Sequence, residues 1–361
     1  MISLDDMLAD LELLVNTEST SLHLDLLEQS AAAVATVMER RLGTPPTFVD
    51  SPAGRHVLWS GGGTPKVLLV GHHDTVFPVG SVAARPFRVA DGKATGPGVF
   101  DMKAGIVQAV HATAALADRS GVEILITADE EVGSDASRAL IEERAAACGN
   151  VLVFEASADG GALKIARKGT GTFEVVVQGR AAHAGLEPWK GINSLVAAAE
   201  LVLQINTFGD PATATTVTPT VASAGTADNV VPAETRVKVD VRVEQPGEGE
   251  RLVAAFGALQ SSVEGARVEV LGGLNRPPMP VGSAGALYPL AMEAAVEVGI
   301  EGLEGVAVGG GSDGNFTAAI GVPTLDGMGA VGGGAHADHE FVLVDTMVPR
   351  AELVAALLRR L

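Results

Sequence analysis

The sequence predicts an α/β protein, in which a domain built on a mostly parallel β-sheet carries a smaller, inserted α+β domain. In the first half of the chain, short apolar runs that read as buried strands alternate with helical patterns. Near Lys168 the pattern changes to alternating apolar and polar residues, as in half-exposed strands. The chain has 361 residues, more than one hydrophobic core usually supports, so we expect two domains.

The first domain is predicted from strands and helices that follow one another along the chain. Buried strands are expected at Lys66–Gly71, Val122–Thr127 and Val151–Phe154. Helices are expected at Lys103–Leu116, at Ser134–Ala147 with Ser134 as the N-cap, and at Thr346–Leu361. This alternation is typical of a parallel sheet covered on both faces, in which ligands bind beyond the carboxyl ends of the strands.

The inserted domain is predicted from elements in the order β-α-β-β-α-β, which is that of a ferredoxin-like, two-layer domain. The elements are a strand within Gly171–Gly185, the helix Ile192–Ile205, the strands Thr213–Ala224 and Thr235–Glu244, a helix from Glu248 to about Val263, and the strand Ala266–Gly273. Asn275–Pro280 reads as the return linker. We therefore expect a first domain of residues 1–167 plus 277–361 and an inserted domain of residues 168–276.

The composition argues against several kinds of partner. The formal net charge is −19 at pH 7, whereas nucleic acids and anionic membranes both require a basic surface. No apolar run approaches the roughly 20 residues of a membrane span, and the N-terminus carries acidic residues where a signal peptide carries Lys or Arg. Cys148 is the single cysteine, so no disulfide can form within the chain. We expect a cytoplasmic protein that binds neither nucleic acid nor membrane.

The first candidate site residues end the apolar run Val67–Val70, which is followed by Gly71 and then by His72, His73 and Asp74. In an extended chain, side chains two residues apart share a face, so His72 and Asp74 point the same way and His73 points away. A histidine that binds a metal usually donates its second N–H to a carboxylate. We interpret His72 as a ligand and Asp74 as the group that orients it; the alternative is an ordinary surface turn.

Other acids and a histidine occupy similar positions, each with an ordinary alternative. Asp101 precedes a helix, where an aspartate is commonly an N-cap. Asp129, Glu130 and Glu131 follow a strand directly and repel one another, which a nearby cation would offset; the alternative is a solvated acidic turn. Glu155 and His336 are the last candidates, with a polar strand end and a loop histidine as their alternatives. Imidazole and carboxylate ligands together suit zinc or a similar divalent ion.

Taken in order, these motifs resemble the M20 family of metallopeptidases, and within it the glutamate-carboxypeptidase-like members. The resemblance spans nearly the whole chain. Its motifs are H-x-D (His72, Asp74), G-P-G-x-x-D-x-K-x-G (Gly96–Gly105), D-E-E-x-G-S (Asp129–Ser134), F-E (Phe154, Glu155), H-A-G (His183–Gly185) and H-x-x-x-E (His336, Glu340).

The resemblance implies a phosphorylase/hydrolase-like catalytic domain that binds two divalent ions, most readily zinc, with cobalt or manganese as alternatives. It implies that Asp101 bridges the two ions. His72 and Glu155 would complete one site, and Glu131 and His336 the other. Glu130 would be the general base and acid. The family also implies a cis peptide bond after the bridging aspartate, here Asp101–Met102.

The same resemblance assigns roles in the inserted domain. His183 would reach the active site of the partner subunit and stabilise the oxyanion, which implies a homodimer formed through the inserted domain. Asn229 and Arg242 match positions that hold substrate near that histidine. Arg276 is a further candidate for binding a substrate carboxylate, with a linker arginine paired to a surface acid as its alternative. The sequence assigns no role to Lys168, Trp189 or His339.

The expected reaction is metal-dependent hydrolysis of an amide or peptide bond next to a free carboxylate, with release of a C-terminal amino acid such as glutamate. Its substrate would be a small peptide or an N-acyl amino acid. The alternative is an N-acyl amino acid deacylase of the acetylornithine or succinyl-diaminopimelate type, which would use the same mechanism. A third possibility is a binding protein that kept the fold without activity. No expected metal ligand is missing, which favours an enzyme.

Overall fold

A computed structural model describes residues 2–361 of the chain. The chain forms two compact units. The first consists of residues 2–166, 281–308 and 312–361, and the second of residues 167–280 and 309–311. Within residues 2–361, no helix combines the length and the apolar character needed to cross a membrane.

The predicted α/β class is confirmed by the alternation of strands and helices in the first unit. In chain order, the strands are β1 Thr47–Val49, β2 His56–Ser60, β3 Val67–His72, β4 Arg88–Ala90, β5 Lys93–Thr95, β6 Val122–Thr127, β7 Val151–Val153, β8 Leu163–Arg167, β9 Gly169–Gln178, β10 Thr216–Ala224, β11 Glu234–Val243, β12 Arg267–Arg276, β13 Gly305–Val308, β14 Thr324–Leu325, β15 Gly332–Gly333 and β16 Phe341–Leu343. The helices are α1 Leu4–Asn16, α2 Leu24–Leu42, α3 Ser81–Ala84, α4 Ala104–Ala114, α5 Arg138–Cys148, α6 Ser194–Ile205, α7 Glu248–Gly257, α8 Leu287–Glu297, α9 Gly314–Ala319 and α10 Val344–Leu358.

The main sheet of the first unit has the order β1-β2-β6-β3-β7-β14. The strands β6, β3, β7 and β14 are parallel, whereas β1 and β2 add antiparallel pairs at one edge, so the sheet is mixed. All residues of β3 are buried: Val67 and Leu69 enter one apolar cluster, and Leu68 and Val70 enter another. The sheet is therefore covered on both faces, and the carboxyl ends of β3, β6 and β7 share one edge.

A smaller antiparallel sheet of the first unit has the order β15-β16-β5-β4. The loop between β15 and β16 carries His336. On the other side of β16, Phe341 pairs with Thr95 of β5, and the chain leaves β5 directly into the Gly96–Gly105 motif. Two of the motifs in the sequence are thus neighbours at the end of this sheet.

The second unit has the predicted β-α-β-β-α-β order, with β9, α6, β10, β11, α7 and β12 in succession. Its sheet has the order β10-β11-β9-β12 with antiparallel pairs throughout, which is the ferredoxin-like arrangement. In its core, the rings of Phe173 on β9 and Phe256 on α7 stack with centroids 3.9 Å apart. Alternate valines of β11, including Val237 and Val239, are buried in the same core.

Three boundaries differ from the prediction. The helix α5 begins at Arg138 rather than after Ser134, because Ser134 has a φ of 59° and donates its hydroxyl to Asp313 at 2.5 Å. The helix α7 ends at Gly257 rather than near Val263, where the backbone N–H of Val263 donates to the Ser261 hydroxyl at 3.1 Å. The strand β12 extends through Arg276, so the return linker begins later than the predicted Asn275.

Candidate metal centre

The candidate ligands come from segments that end at one edge of the main sheet. His72 is the last residue of β3, Glu130 and Glu131 follow β6, and Glu155 follows β7. Because these three strands are parallel neighbours, their carboxyl ends bring the side chains together. Asp101 precedes α4, and His336 comes from the loop between β15 and β16.

The Asp101 carboxylate lies between two histidines. Its Oδ1 is 3.3 Å from Nε2 of His72, and its Oδ2 is 3.2 Å from Nε2 of His336. His72 Nε2 is also 3.5 Å from Glu155 Oε1, and His336 Nε2 is 3.2 Å from Glu131 Oε2. The structure thus brings together the five residues predicted as ligands, as two imidazole–carboxylate pairs that share Asp101.

Glu130 also faces this cluster. Ligand atoms of His72, Glu130 and Glu155 lie within 4.8 Å of one another, and so do those of His72, Asp101 and Glu131. Glu130, the residue predicted as the general base, therefore lies beside the predicted metal ligands.

The residues present fit a divalent cation. Three buried atoms, Nε2 of His72, Oδ1 of Asp101 and Oε1 of Glu131, have no hydrogen-bond partner within residues 2–361, although they face one another. Unsatisfied buried polar atoms are costly, so several converging on one point indicate a ligand that all of them bind. Imidazole nitrogens with carboxylate oxygens are the donor set of zinc and similar ions.

The electrostatics of the cluster follow from this crowding of acids and imidazoles. Burial alone would raise the pKa of the Asp101 carboxyl, but the imidazoles of His336 and His72 beside it outweigh burial and lower it well below its ordinary value. Hydrogen bonds to Asp101 and Glu131 raise the pKa of His336 to about 11. A cation bound between these groups would take the place of the protons that the imidazoles hold.

Asp74 has a wider role than the predicted one. His72 Nδ1 donates to the main-chain oxygen of Asp74 at 3.0 Å, and the Asp74 carboxylate lies 3.4 Å from the same nitrogen. That carboxylate accepts hydrogen bonds from the backbone N–H groups of Glu130 at 3.1 Å and Glu131 at 3.3 Å. Asp74 therefore orients His72 and also fixes the turn that carries both glutamates. His73 points away, with Nε2 donating to the main-chain oxygen of Arg55.

The acids of the D-E-E-x-G-S motif divide between two tasks. The Asp129 carboxylate accepts backbone hydrogen bonds from Ala136 at 2.9 Å and Ser137 at 3.2 Å, just before α5. Glu130 and Glu131 face the metal-binding cluster instead. Position and charge alone do not distinguish the three, because they are adjacent and of one charge; only the resemblance to the family assigned separate roles to Glu130 and Glu131.

Two further motifs contain a cis peptide bond and two buried charged residues. The peptide bond Asp101–Met102 is cis, as the resemblance implied. Lys103 is buried and donates to the main-chain oxygen of Thr17 at 3.0 Å, and burial lowers the pKa of its ammonium group to about 7. Burial likewise raises the pKa of the Glu340 carboxyl to about 7. The sequence assigned neither residue a role, although the motifs G-P-G-x-x-D-x-K-x-G and H-x-x-x-E contain them.

In the second unit, His183 is exposed and has a defined tautomer. Its Nδ1 accepts hydrogen bonds from the backbone N–H groups of Gly185 and Leu186, both at 3.1 Å. A nitrogen that accepts carries no proton, so the proton is on Nε2. Asn229 is adjacent, because its main-chain oxygen accepts from Ala184 at 2.8 Å. His183 thus presents an N–H donor beside Asn229.

The structure does not bring Arg242 or Arg276 near His183 within one chain. Thr170, at the beginning of β9, is in register with Arg242 on one side and Arg276 on the other, whereas His183 lies beyond the far end of β9. Since β9 has 10 residues, the two groups are about 30 Å apart. Arg242 binds Asp240 through two hydrogen bonds of 3.0 and 2.8 Å.

Arg276 is not the exposed linker arginine of the alternative interpretation. It ends β12, its side chain is buried, and its Nη1 donates to Asn275 Oδ1 at 2.8 Å. Lys168, which had no predicted role, donates to the main-chain oxygen of Ala214 at 2.6 Å within the same unit.

Comparisons with known proteins identify the family of the chain. The sequence profile of Peptidase family M20/M25/M40 matches residues 68–360. Carboxypeptidase G2 of Pseudomonas sp. (strain RS-16) is 34% identical over 307 residues, which cover 82% of this chain and 74% of that protein. A succinyl-diaminopimelate desuccinylase of Caulobacter vibrioides (strain NA1000 / CB15N) is 28% identical over 330 residues, covering 82% of this chain and 81% of that protein.

The fold is also that of solved structures. An M20 family metallo-carboxypeptidase of Sulfolobus solfataricus superimposes with a TM-score of 0.77 at 16% identity and covers 98% of this chain and 98% of that chain. The profile match extends over most of the chain and includes every residue of the metal-binding cluster. The chain therefore belongs to peptidase family M20/M25/M40, and it is a metal-dependent peptidase or amidohydrolase.

Proposed function

We propose that this protein is a two-metal exopeptidase that cleaves an amide or peptide bond next to a free carboxylate and releases a C-terminal amino acid such as glutamate. The observation that carries the proposal is the Asp101 carboxylate, which lies between His72 and His336 with one oxygen facing each. The similarity to carboxypeptidase G2 supports a C-terminal amino acid as the product.

Five side chains would hold the two ions. Asp101 would bridge them; His72 and Glu155 would bind one ion, and Glu131 and His336 the other. Zinc suits this donor set, and cobalt or manganese would bind it too, because nitrogen and oxygen ligands discriminate weakly among these metals. When bound, such ions lower the pKa of a water towards about 7 and polarise a carbonyl group.

The chain's own residues then move the protons. Glu130 accepts the proton of the attacking water and returns it to the leaving amine. Its carboxylate is near His72 and Glu155, so the transfer needs no large movement. Asp74 holds the backbone of Glu130 and keeps His72 oriented, which limits both side chains to the productive geometry.

His183 would stabilise the oxyanion from a second copy of the chain. Its Nε2–H is an exposed donor of the kind that an oxyanion requires. Within one chain His183 is about 30 Å from Arg242 and Arg276, too far for all three to contact one small substrate. If the arginines bind the substrate carboxylate, then the histidine at that site belongs to the partner.

The second unit would then act as lid and dimerisation domain. Its edge strand β10 is largely exposed, and α6, which packs on β10 and β11, exposes Leu195 at 48%, Val196 at 50% and Leu203 at 74%. An exposed strand edge beside exposed apolar residues is a surface that a second copy would cover. We also propose that the protein acts in the cytoplasm, which agrees with a single, buried cysteine.

The second candidate is an N-acyl amino acid deacylase, which the similarity to a succinyl-diaminopimelate desuccinylase favours. The same side chains would serve that reaction, so the metal centre cannot separate the two. The two activities differ in the substrate groups that must be bound. A peptidase binds the free carboxylate of the departing amino acid, whereas a desuccinylase must also bind the carboxylate of the acyl group.

The test is turnover by zinc-loaded protein of four substrate classes under one set of conditions: dipeptides, N-acyl glutamates, N-acetylornithine and N-succinyl-diaminopimelate. We expect the highest kcat/KM for a substrate with C-terminal glutamate. A higher kcat/KM for N-succinyl-diaminopimelate or N-acetylornithine would establish the deacylase instead. Failure to cleave any of them, with both metals bound, would favour the non-catalytic alternative. The control is Glu130→Gln, which should bind metal without turnover.

A further inference from the structure

Glu340 binds the backbone of the segment that carries Asp101. Its Oε2 accepts a hydrogen bond from the N–H of Gly98 at 3.0 Å. Its Oε1 accepts hydrogen bonds from the N–H groups of Phe100 and Asp101, both at 2.7 Å. Glu340 is only 1% exposed, so these backbone N–H groups replace water as the hydrogen-bond donors to its carboxylate. Hydrogen bonds to an ionised carboxylate are shorter and stronger than neutral ones.

The hydrogen bonds to Glu340 give partners to backbone N–H groups in a segment, Gly98–Asp101, whose backbone is irregular. Gly98 has a φ of 73°, and Asp101 has non-helical backbone angles just before α4. Backbone N–H groups in such a turn lack the regular partners of a helix or strand. Because Asp101 must present one oxygen to His72 and the other to His336, its backbone has to be fixed in one orientation.

Glu340 also belongs to the loop that presents His336. That loop is closed by hydrogen bonds from Ala337 N to Gly334 O at 2.9 Å and from Glu340 N to Ala337 O at 3.1 Å. At its base, β16 pairs with β5, which leads into the Asp101 segment. The two segments are thus joined by strand pairing at one end and by the Glu340 carboxylate at the other.

Glu340 does not belong to the metal-binding cluster itself. Within residues 2–361, the groups of ligand atoms that lie within 4.8 Å of one another do not include its carboxylate. Both of its oxygens are occupied by backbone donors. Its place therefore indicates a role exercised through Asp101 and His336 rather than direct contact with a metal or substrate.

We propose that Glu340 is a positioning residue that sets the separation of the Asp101 carboxylate and the His336 imidazole before metal binds. The proposal rests on the two-metal centre proposed above. Removal of groups that orient metal ligands typically weakens metal affinity about 10- to 100-fold. Loss of the Glu340 charge should have an effect of this size, because three donors of one turn would lose a charged acceptor with two oxygens, and the amide of glutamine offers them only one neutral oxygen.

The test compares Glu340→Gln with Glu340→Asp and with the matched control Glu123→Gln. Glu123 is also buried, at 5% exposure, but its carboxylate pairs with Arg144 at the opposite end of β6. Zinc is titrated into metal-free protein by competition with a chelator. Glu340→Gln should bind zinc about 10- to 100-fold more weakly than wild type. Glu123→Gln should keep wild-type affinity even if it unfolds at a lower temperature.

Amide hydrogen exchange on metal-free protein provides a second measurement, which does not depend on metal. Glu340→Gln should speed exchange at Phe100 and Asp101, and Glu340→Asp, which keeps the charge, should restore part of the protection. Unchanged exchange at both amides, or zinc affinity lowered equally by Glu123→Gln, would overturn the positioning role. Wild-type protein that binds no zinc would refute the two-metal proposal, while the exchange result would still decide the role of Glu340.

Discussion

Mixing two inactive variants tests whether His183 serves the metal centre of a second copy. His183→Ala removes the proposed oxyanion donor and should lower kcat about 100- to 1,000-fold. Glu130→Gln removes the proposed proton acceptor and should lower kcat by about three orders of magnitude. Each purified variant should therefore be almost inactive on its own, while both variants keep their metals and fold.

The activity expected after mixing follows from the two-fold symmetry of a dimer. If each site combines Glu130 of one chain with His183 of the other, a mixed dimer contains one doubly impaired site and one intact site. Random exchange of equal amounts makes about half of the dimers mixed, so about one quarter of all sites should be intact. If both residues came from the same chain, every site in the mixture would carry one of the two lesions.

The assay is hydrolysis of the best substrate from the panel, measured before and after subunit exchange. Mixed dimers are verified by giving the two variants different affinity tags and purifying on both in succession. We expect about one quarter of wild-type kcat per chain in the exchanged mixture, and about half in purified mixed dimers. Verified mixed dimers with no more activity than either parent would refute a role of His183 across the dimer. They would also refute the argument from the length of β9, which places His183 about 30 Å from Arg242 and Arg276.

Four further predictions concern three residues of the first unit outside the candidate metal centre. Asp10 is fully buried and bonds Arg41 at 2.6 Å and His111 at 2.8 Å, so Asp10→Asn should reduce the free energy of unfolding by about 3–5 kcal/mol in urea denaturation; no loss would refute it. Burial would raise the pKa of Asp10, but hydrogen bonds with His111 and Arg41 lower it overall. Ionised Asp10 therefore contributes its full stabilisation of the fold above the ordinary pKa of 3.8, and this contribution is lost as pH falls through the lowered pKa. Urea unfolding midpoints measured at decreasing pH would show the loss. Gln108 is fully buried and neither atom of its amide has a partner, so Gln108→Met should raise the free energy of unfolding by about 1–3 kcal/mol, and a decrease would contradict this. Burial raises the pKa of the Cys148 thiol to about 12, so a disulfide reagent should modify it far more slowly in folded than in urea-unfolded protein; equal rates would contradict its inertness.

The strand ends that carry ligands could be predicted because the signal is local. β3, β6 and β7 are apolar runs that stop at a polar residue, and the structure places their ends within one residue of the prediction. Once the strands are taken as parallel, their carboxyl ends must meet at one edge, which brings His72 and Glu155 together. Asp101 and His336 do not follow a strand of this sheet, so their local positions fit a helix N-cap and a loop histidine equally well, and the resemblance to the family favoured them as ligands.

Ser134 shows where local reasoning fails. A serine before a helical pattern is a good N-cap by propensity, but here its hydroxyl bonds Asp313, a residue 179 positions away. Ser134 also has a left-handed backbone conformation, with a φ of 59°, whereas an N-cap residue has an extended one. Tertiary structure overrode the local preference because a buried carboxylate needs a donor more than an exposed helix end needs a cap.

Apolar periodicity and motif order are properties of neighbouring residues, so the α/β class, the inserted β-α-β-β-α-β segment and the candidate imidazoles and carboxylates could be predicted from the chain alone. The division of tasks among the acids depends instead on contacts that form on folding: Asp129 binds backbone near α5, Asp74 holds the turn of Glu130, and Glu340 holds the backbone of Asp101. Asp74 and Glu130 are 56 positions apart, and Glu340 and Asp101 are 239 apart. A carboxylate has the same charge wherever it stands, and its task is set by the donors that folding brings to it.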